Sequence, residues 1–145
     1  MIESILAGIT GLLSPLNLGI IVLGLVVGMI FGALPGFSAT MGVAVLVPIS
    51  YWLPADAALL MLSGVYCGAI YAGSIPAVLL GIPGTPASVP TTYDGVPMVK
   101  EGKAGQALAL VTFGSSAGGF LSSIALLIGA PLLAIVALKV GPPEQ

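Results

Sequence analysis

The chain has 145 residues, of which eight are charged and none is histidine; 58% are hydrophobic and the net charge is −2. A soluble domain carries about 25% charged residues, so this composition excludes one. The 21 glycines and 12 prolines would mark disorder in a polar chain, but a chain this apolar cannot remain solvated and unfolded. What remains is an all-α, polytopic helical membrane protein with helices broken or re-entrant at Gly and Pro.

The charges count the spans. Residues 4–55, 57–93 and 104–138 contain none, and a crossing needs roughly 20 apolar residues. Four to six membrane segments are expected within one transmembrane unit, 1–145. A β-barrel is excluded because runs such as Ile20–Val27 lack apolar/polar alternation. Three lysines form no basic patch for nucleic acid or anionic headgroups. The single cysteine, Cys67, excludes an intrachain disulfide; a small buried hydrophobe is its simplest role. Met1-Ile2-Glu3-Ser4 lacks the positive region of a secretory signal, so it reads as a mature start.

Residues 2–13 are apolar but too short to span, and suit an interfacial or half-helix. The first span is expected at 17–34, where Gly24, Gly28, Gly32 and Gly36 recur every four residues. This spacing makes a glycine groove for close helix packing; a sliding surface is the sharper alternative. Pro35-Gly36 interrupts the run. The second span is expected at 38–53, with Pro48 as a kink and Tyr51-Trp52 as an interfacial anchor. Asp56 reads as the N-cap of a third span, 56–72. That span carries a second small-residue stripe, Gly64, Gly68 and Ala72, and places Tyr66 and Tyr71 deep enough to pack against other helices. Gly73-Ser74-Ile75-Pro76 breaks it, and a half-helix at 74–82 either continues outward or turns back.

Residues 83–103 hold the concentrated polarity. Four prolines between Pro83 and Pro97 argue against a long helix there, and Asp94-Gly95 has turn chemistry. Lys100 and Lys103 make 91–103 the cytoplasmic candidate. The apolar run from Ala104 is too long for one crossing, so Ser115–Gly119 is the expected break between segments 104–117 and 120–139. Gly141–Gln145 reads as a loop rather than a finished C-terminus.

Leu34-Pro35-Gly36-Phe37-Ser38-Ala39-Thr40 echoes Ile82-Pro83-Gly84-Thr85-Pro86-Ala87-Ser88 at an offset of 48. A turn at 83–90 would account for the second copy; two helix interruptions of one kind are the sharper reading. Irregular backbone at membrane depth persists only where protein, water or a ligand satisfies it, and interrupted helices mark solute sites in many secondary transporters. Freed N–H groups attract anions, freed carbonyls suit Na⁺, and Thr85, Ser88 and Thr91 add hydroxyls. Enzyme chemistry is poorly served: without histidine there is no Ser-His or Cys-His pair and no His-metal site. The carboxylates are scattered, and no phosphate-binding GxxxxGK[ST] occurs.

The residues Gly73-Ser74, Pro83-Gly84-Thr85-Pro86-Ala87-Ser88, Thr91, Asp94-Gly95, Pro97-Met98, Gly102-Lys103-Ala104 and Ala107-Leu108 resemble the large membrane subunit of tripartite tricarboxylate transporters, the TctA family. Gly32-Ala33-Leu34-Pro35-Gly36 through Pro48, and Gly141-Pro142 with Glu144, extend the resemblance over nearly the whole chain. Pro76, Gly81 and Val96 depart from the pattern, where Thr, Asn and an aromatic are common. Family members are roughly three times longer, a size consistent with two inverted repeats, so the resemblance implies an N-terminal portion holding one repeat. It further implies import of small tri- or dicarboxylates such as citrate, driven by a Na⁺ or H⁺ gradient without another cofactor. The implied partners are a small membrane subunit and a periplasmic solute-binding protein, and the implied location is the bacterial inner membrane. Gly36, Ser38, Thr40, Gly84, Thr85, Ser88 and Thr91 are then expected near solute or ion, with Ser74 capping the half-helix and Pro35 and Pro83 holding the breaks. The competing reading is a non-transporting scaffold that uses its Gly-rich faces for assembly.

Overall fold

The computed structural model describes residues 8 and 10–139, with side chains through residue 130. Among the described residues there is no strand. The helices are α1 (Pro15–Ala33), α2 (Ala39–Ser50), α3 (Ala55–Ala72), α4 (Ser74–Leu80), a 3₁₀ turn (Pro86–Ser88), α5 (Val89–Lys100) and α6 (Ala104–Lys139). Two compact units divide at Ala109/Leu110. The expectations for residues 2–7 and for Gly141–Gln145 lie outside the described residues.

Among the described residues three helical runs are long and apolar enough to cross a membrane: Pro15–Ala33, Ala55–Leu80 and Ala104–Ala130. Burial within α1 is inverted relative to a water-soluble helix. Its buried residues are Gly24, Gly28 and Gly32, while Val22, Leu23, Val26 and Ile30 face outward. A helix that is apolar all round and buries only glycine is suited to lipid. The fold is that of an all-α membrane protein.

The two glycine stripes meet each other. A Cβ on Gly24 would fall 2.5 Å from the Met61 carbonyl oxygen, and Gly28 and Gly32 lie equally tight on Val65 and Ala69. In return Gly64 sits on Ile21 and Leu25, and Gly68 on Leu25. Contact partners rise together along both helices, so α1 and α3 run parallel at backbone contact. The packing reading of the stripes therefore holds for Gly24, Gly28 and Gly32. Gly36 leaves the stripe: it has φ +95 and open space around it. Parallel neighbours need a return between them. The 12 residues of α2 supply about 18 Å of it, and the connections 34–38 and 51–54 supply the rest.

Ser14 caps α1 by accepting the Asn17 N–H at 3.3 Å. Leu34-Pro35-Gly36-Phe37 then forms a type II turn, closed by the Phe37 N–H on the Leu34 carbonyl at 3.2 Å, with Pro in the second position and positive-φ Gly in the third. The Phe31 and Phe37 rings meet edge to face at 5.7 Å across it. Since a Cβ at position 36 meets no atom, Gly36→Ala isolates backbone strain. It should lower stability by about 1–2 kcal/mol, read as a lower heating midpoint in detergent. Gly105→Ala, at an equally open helical position, should not lower it.

Several expectations are corrected. Asp56 is not the N-cap of α3; Pro54 holds that place and Asp56 lies in the first turn, where its charge still complements the helix dipole. Cys67 is exposed rather than buried. Tyr66 is 52% exposed and Tyr51 and Trp52 more than 80%, whereas Tyr71 is half-buried. Residues 89–100 form a helix despite their prolines. Pro90 falls in the first turn, where its missing N–H has no intrahelical partner to lose, Pro83 and Pro86 precede the helix, and only Pro97 lies inside it. Asp94-Gly95 is accordingly helical, and Gly95 lies against Val78. The end of α5 is a Schellman motif: Gly102, at φ +78, donates to Val99 at 2.9 Å, and Lys103 donates to Met98 at 2.8 Å.

The second unit, Leu110–Gln145, is described by the greater part of α6 alone. The break expected at Ser115–Gly119 is absent, because one 36-residue helix occupies 104–139. Helical glycine costs about 1 kcal/mol but does not by itself end a helix. Ser116 and Ser123 donate back to the Thr112 and Gly119 carbonyls at 2.8 Å, so their hydroxyls do not compete for helical N–H groups.

Candidate functional site

The α3–α4 joint originates in Pro76. Proline has no N–H, and its ring crowds the carbonyl four residues back, here that of Ala72, the last residue of α3. Gly73 takes the joint with φ −60 and ψ −21, right-handed helical values, so the chain passes from α3 to α4 without reversing. Ser74 is thus the first residue of α4 and makes no cap; the cap position belongs to Gly73.

After Leu80 the chain turns back. Gly81 adopts the left-handed conformation (φ 70) and closes α4 with its N–H on the Pro76 carbonyl; Ile82 donates to the same oxygen at 3.3 Å. By Gly84 the backbone has returned to the joint, and its N–H meets the Gly73 carbonyl at 3.1 Å. Seven residues of α4 rise about 10 Å, and four extended residues descend about the same distance. Of the two courses left open for 74–82, the chain turns back: after Leu80 it returns to the joint, where the Gly84 N–H meets the Gly73 carbonyl.

The return loop sits at a meeting of three glycines. A Cβ on Gly84 would strike the Gly32 carbonyl oxygen and lie 2.8 Å from Gly73 Cα; one on Gly73 would lie 2.8 Å from Thr85 Cγ2 and Oγ1. The end of α1, the α3–α4 joint and the return loop are therefore in backbone contact. Gly84 is not among the positive-φ glycines, so the two Pro-Gly sequences differ: Pro35-Gly36 is a tight turn and Pro83-Gly84 a close approach. The echo is one of composition and not of conformation.

Hydroxyls line the loop. Thr85 is 2% and Ser88 1% exposed. Ser88 Oγ accepts the Thr85 N–H at 3.2 Å and donates to the Thr85 carbonyl at 2.7 Å, and the Ser88 N–H reaches that carbonyl at 3.0 Å. Thr91 Oγ1 donates to the Ser88 carbonyl, and Thr92 Oγ1 to that of Val89 at 2.7 Å. Ser74, 7% exposed, stands beside Gly73.

Of the residues expected near solute, Ser74, Gly84, Thr85, Ser88 and Thr91 are brought together, with Pro83 opening the return. Pro35, Gly36 and Ser38 lie in the α1–α2 connection, and Thr40 in the first turn of α2. There Ser38 caps α2 by accepting the Met41 N–H at 3.2 Å, and Gly36 and Thr40 are exposed. Gly32, three residues before Pro35, touches the return loop. The sequence reading missed Gly32 and Gly73 as members of this site. The signal for Gly73 was available in Pro76, three residues on.

Helices this long and apolar, packed through glycine, define the class as a multi-pass helical membrane protein. The sequence model of the tripartite tricarboxylate transporter TctA family matches residues 18–145, and the chain belongs to that family. A relative from Agrobacterium vitis, described as an uncharacterized 52.8 kDa protein in the TAR-I ttuC′ 3′ region, is 41% identical over 144 residues, covering 99% of this chain and 29% of that protein. The chain thus spans less than a third of the length of this curated relative. No solved structure matches it.

Proposed function

We propose that the chain is part of the large membrane subunit of a tripartite transporter that imports small tri- or dicarboxylates such as citrate across the bacterial inner membrane. In this reading a Na⁺ or H⁺ gradient drives uptake, a periplasmic binding protein delivers the solute, a small membrane subunit completes the complex, and a second repeat in a longer chain supplies the other half of the site. The observation that carries it is the return loop, 81–88, folded back onto the α3–α4 joint. Irregular backbone beside apolar helices needs protein, water or solute to satisfy it, and a transporter's solute site uses that need. The absence of a nearby Arg is no obstacle, since N–H and O–H donors bind carboxylates.

The scaffold reading relied on the glycine faces. Gly24 and Gly28 are buried against α3 of the same chain, so those two positions serve packing within the chain. The test is uptake of labelled citrate and succinate by the full-length subunit with its partners. Thr85→Ala and Ser88→Ala should lower uptake at least severalfold while membrane insertion is retained. Unchanged uptake at limiting and saturating solute would remove the loop from the site.

A further inference from the structure

We infer that the hydroxyls at the joint are of two kinds: Ser74 is the one that donates a hydrogen bond to the solute carboxylate, whereas Ser88 and Thr91 are positioning residues that hold the return loop. This rests on the carboxylate-transport reading and names the donor within it.

A carboxylate only accepts hydrogen bonds, so a neutral side chain serves it only with a free proton. The Ser88 proton is committed to the Thr85 carbonyl at 2.7 Å. That of Thr91 is committed to the Ser88 carbonyl, and that of Thr92 to the Val89 carbonyl. These groups present only lone pairs to anything arriving from outside. Thr85 is wedged over Gly73, 2% exposed, with its hydroxyl 3.5 Å from Ser88 Oγ. Its place is likewise in the loop's own packing.

Ser74 differs. It is 93% buried, as its 7% exposure gives, yet among the described residues its hydroxyl has no hydrogen-bond partner. No fully enclosed side-chain oxygen or nitrogen among the described residues lacks a partner, so the Ser74 oxygen is not sealed in. Its proton is therefore uncommitted and reachable, while the flanking Ala72 and Ala77 are fully buried. Ser74 thus places a hydroxyl next to Gly73, the glycine on which the return loop closes.

The experiment compares Ser74→Ala, Ser74→Cys, Ser88→Ala, Thr91→Val and Thr91→Ser in the full-length transporter with its partner subunits. Its readouts are citrate and succinate uptake kinetics and the heating midpoint in detergent. Loss of a hydrogen bond to a charged group predicts a KM raised about tenfold or more for Ser74→Ala, with the midpoint unchanged. Ser74→Cys, which keeps the size and weakens the donor, should follow it. Ser88→Ala and Thr91→Val should lower the midpoint and the maximal rate while leaving KM in place, and Thr91→Ser should restore both. An unchanged KM in both Ser74 variants, with the unsubstituted protein active, overturns the assignment of Ser74 alone. A raised KM at unchanged midpoint in Ser88→Ala overturns the division into two kinds. Absence of uptake of either probe by the unsubstituted protein overturns the carboxylate reading, and the inference falls with it.

Discussion

Gly28→Leu should dismantle the α1–α3 pair and lower the heating midpoint by about 10 °C or more. A Cβ at Gly28 would lie 2.8 Å from the Val65 Cα and carbonyl carbon, and closer still to the carbonyl oxygen. The obstacle is the backbone of a helix and cannot rotate aside. Overpacking a deformable core costs about 1–3 kcal/mol, occasionally more, and a rigid neighbour puts this site at the upper end. Helices in lipid gain no hydrophobic force from reassociating, so little opposes separation of the pair. About 3 kcal/mol corresponds to roughly 10 °C for a domain of this size. The measurement is the fraction remaining monodisperse after heating in micelles, because each membrane helix keeps its own hydrogen bonds and helicity would barely register the loss. Gly28→Ala already carries the offending Cβ and should show much of the effect. Gly19→Leu, on the same helix with open space around it, is the control, and equal midpoints for Gly28→Leu and Gly19→Leu would refute close packing of the two stripes.

The parts of this fold that were legible in the sequence follow from repeated physical patterns. Four-residue glycine spacing announced a close helix contact; charge-free runs announced apolar helices, of which three among the described residues are long enough to cross a membrane where four to six segments were expected. The end of α3 at Ala72 could be read from Gly73 and Pro76. What was misread depended on position within an element. Proline disfavours a helix only where an N–H is required, and Pro90 stands where none is. Asp94-Gly95 has turn chemistry in isolation, but Gly95 is kept small by Val78. Ser115–Gly119 resembles a break in composition, yet Ser116 returns its proton to its own helix. The candidate site was legible as a polar stretch and not as a contact. Gly84 resembles Gly36 in its neighbours, and only the meeting with Gly32 and Gly73 reveals that one glycine serves a turn and the other an approach.

That distinction sets up the second large effect. Gly84→Ala should detach the return loop from the joint and reduce uptake by about tenfold or more, with a smaller change in heating midpoint than Gly28→Leu. The added Cβ would strike the Gly32 carbonyl oxygen and crowd Gly73 Cα, both backbone, while the α1–α3 contacts at Gly24 and Gly28 are left alone. A readout independent of transport is amide hydrogen exchange. Residues 82–88 should lose protection, beginning with the Gly84 N–H held by the Gly73 carbonyl at 3.1 Å, while residues 21–28 and 61–68 keep theirs. Gly95→Ala makes the instructive comparison. Its Cβ would meet Val78 Cγ2 at 3.0 Å and Val78 Cα at 3.2 Å, so the closest contact is a side chain, and Val78→Ala should rescue most of the loss. No side-chain change at position 32 or 73 can relieve Gly84→Ala in the same way, because both neighbours already lack a side chain. If exchange at 82–88 is unaltered in Gly84→Ala, the loop does not close on the joint through this glycine, and the site built around Gly73 and Ser74 loses its third wall.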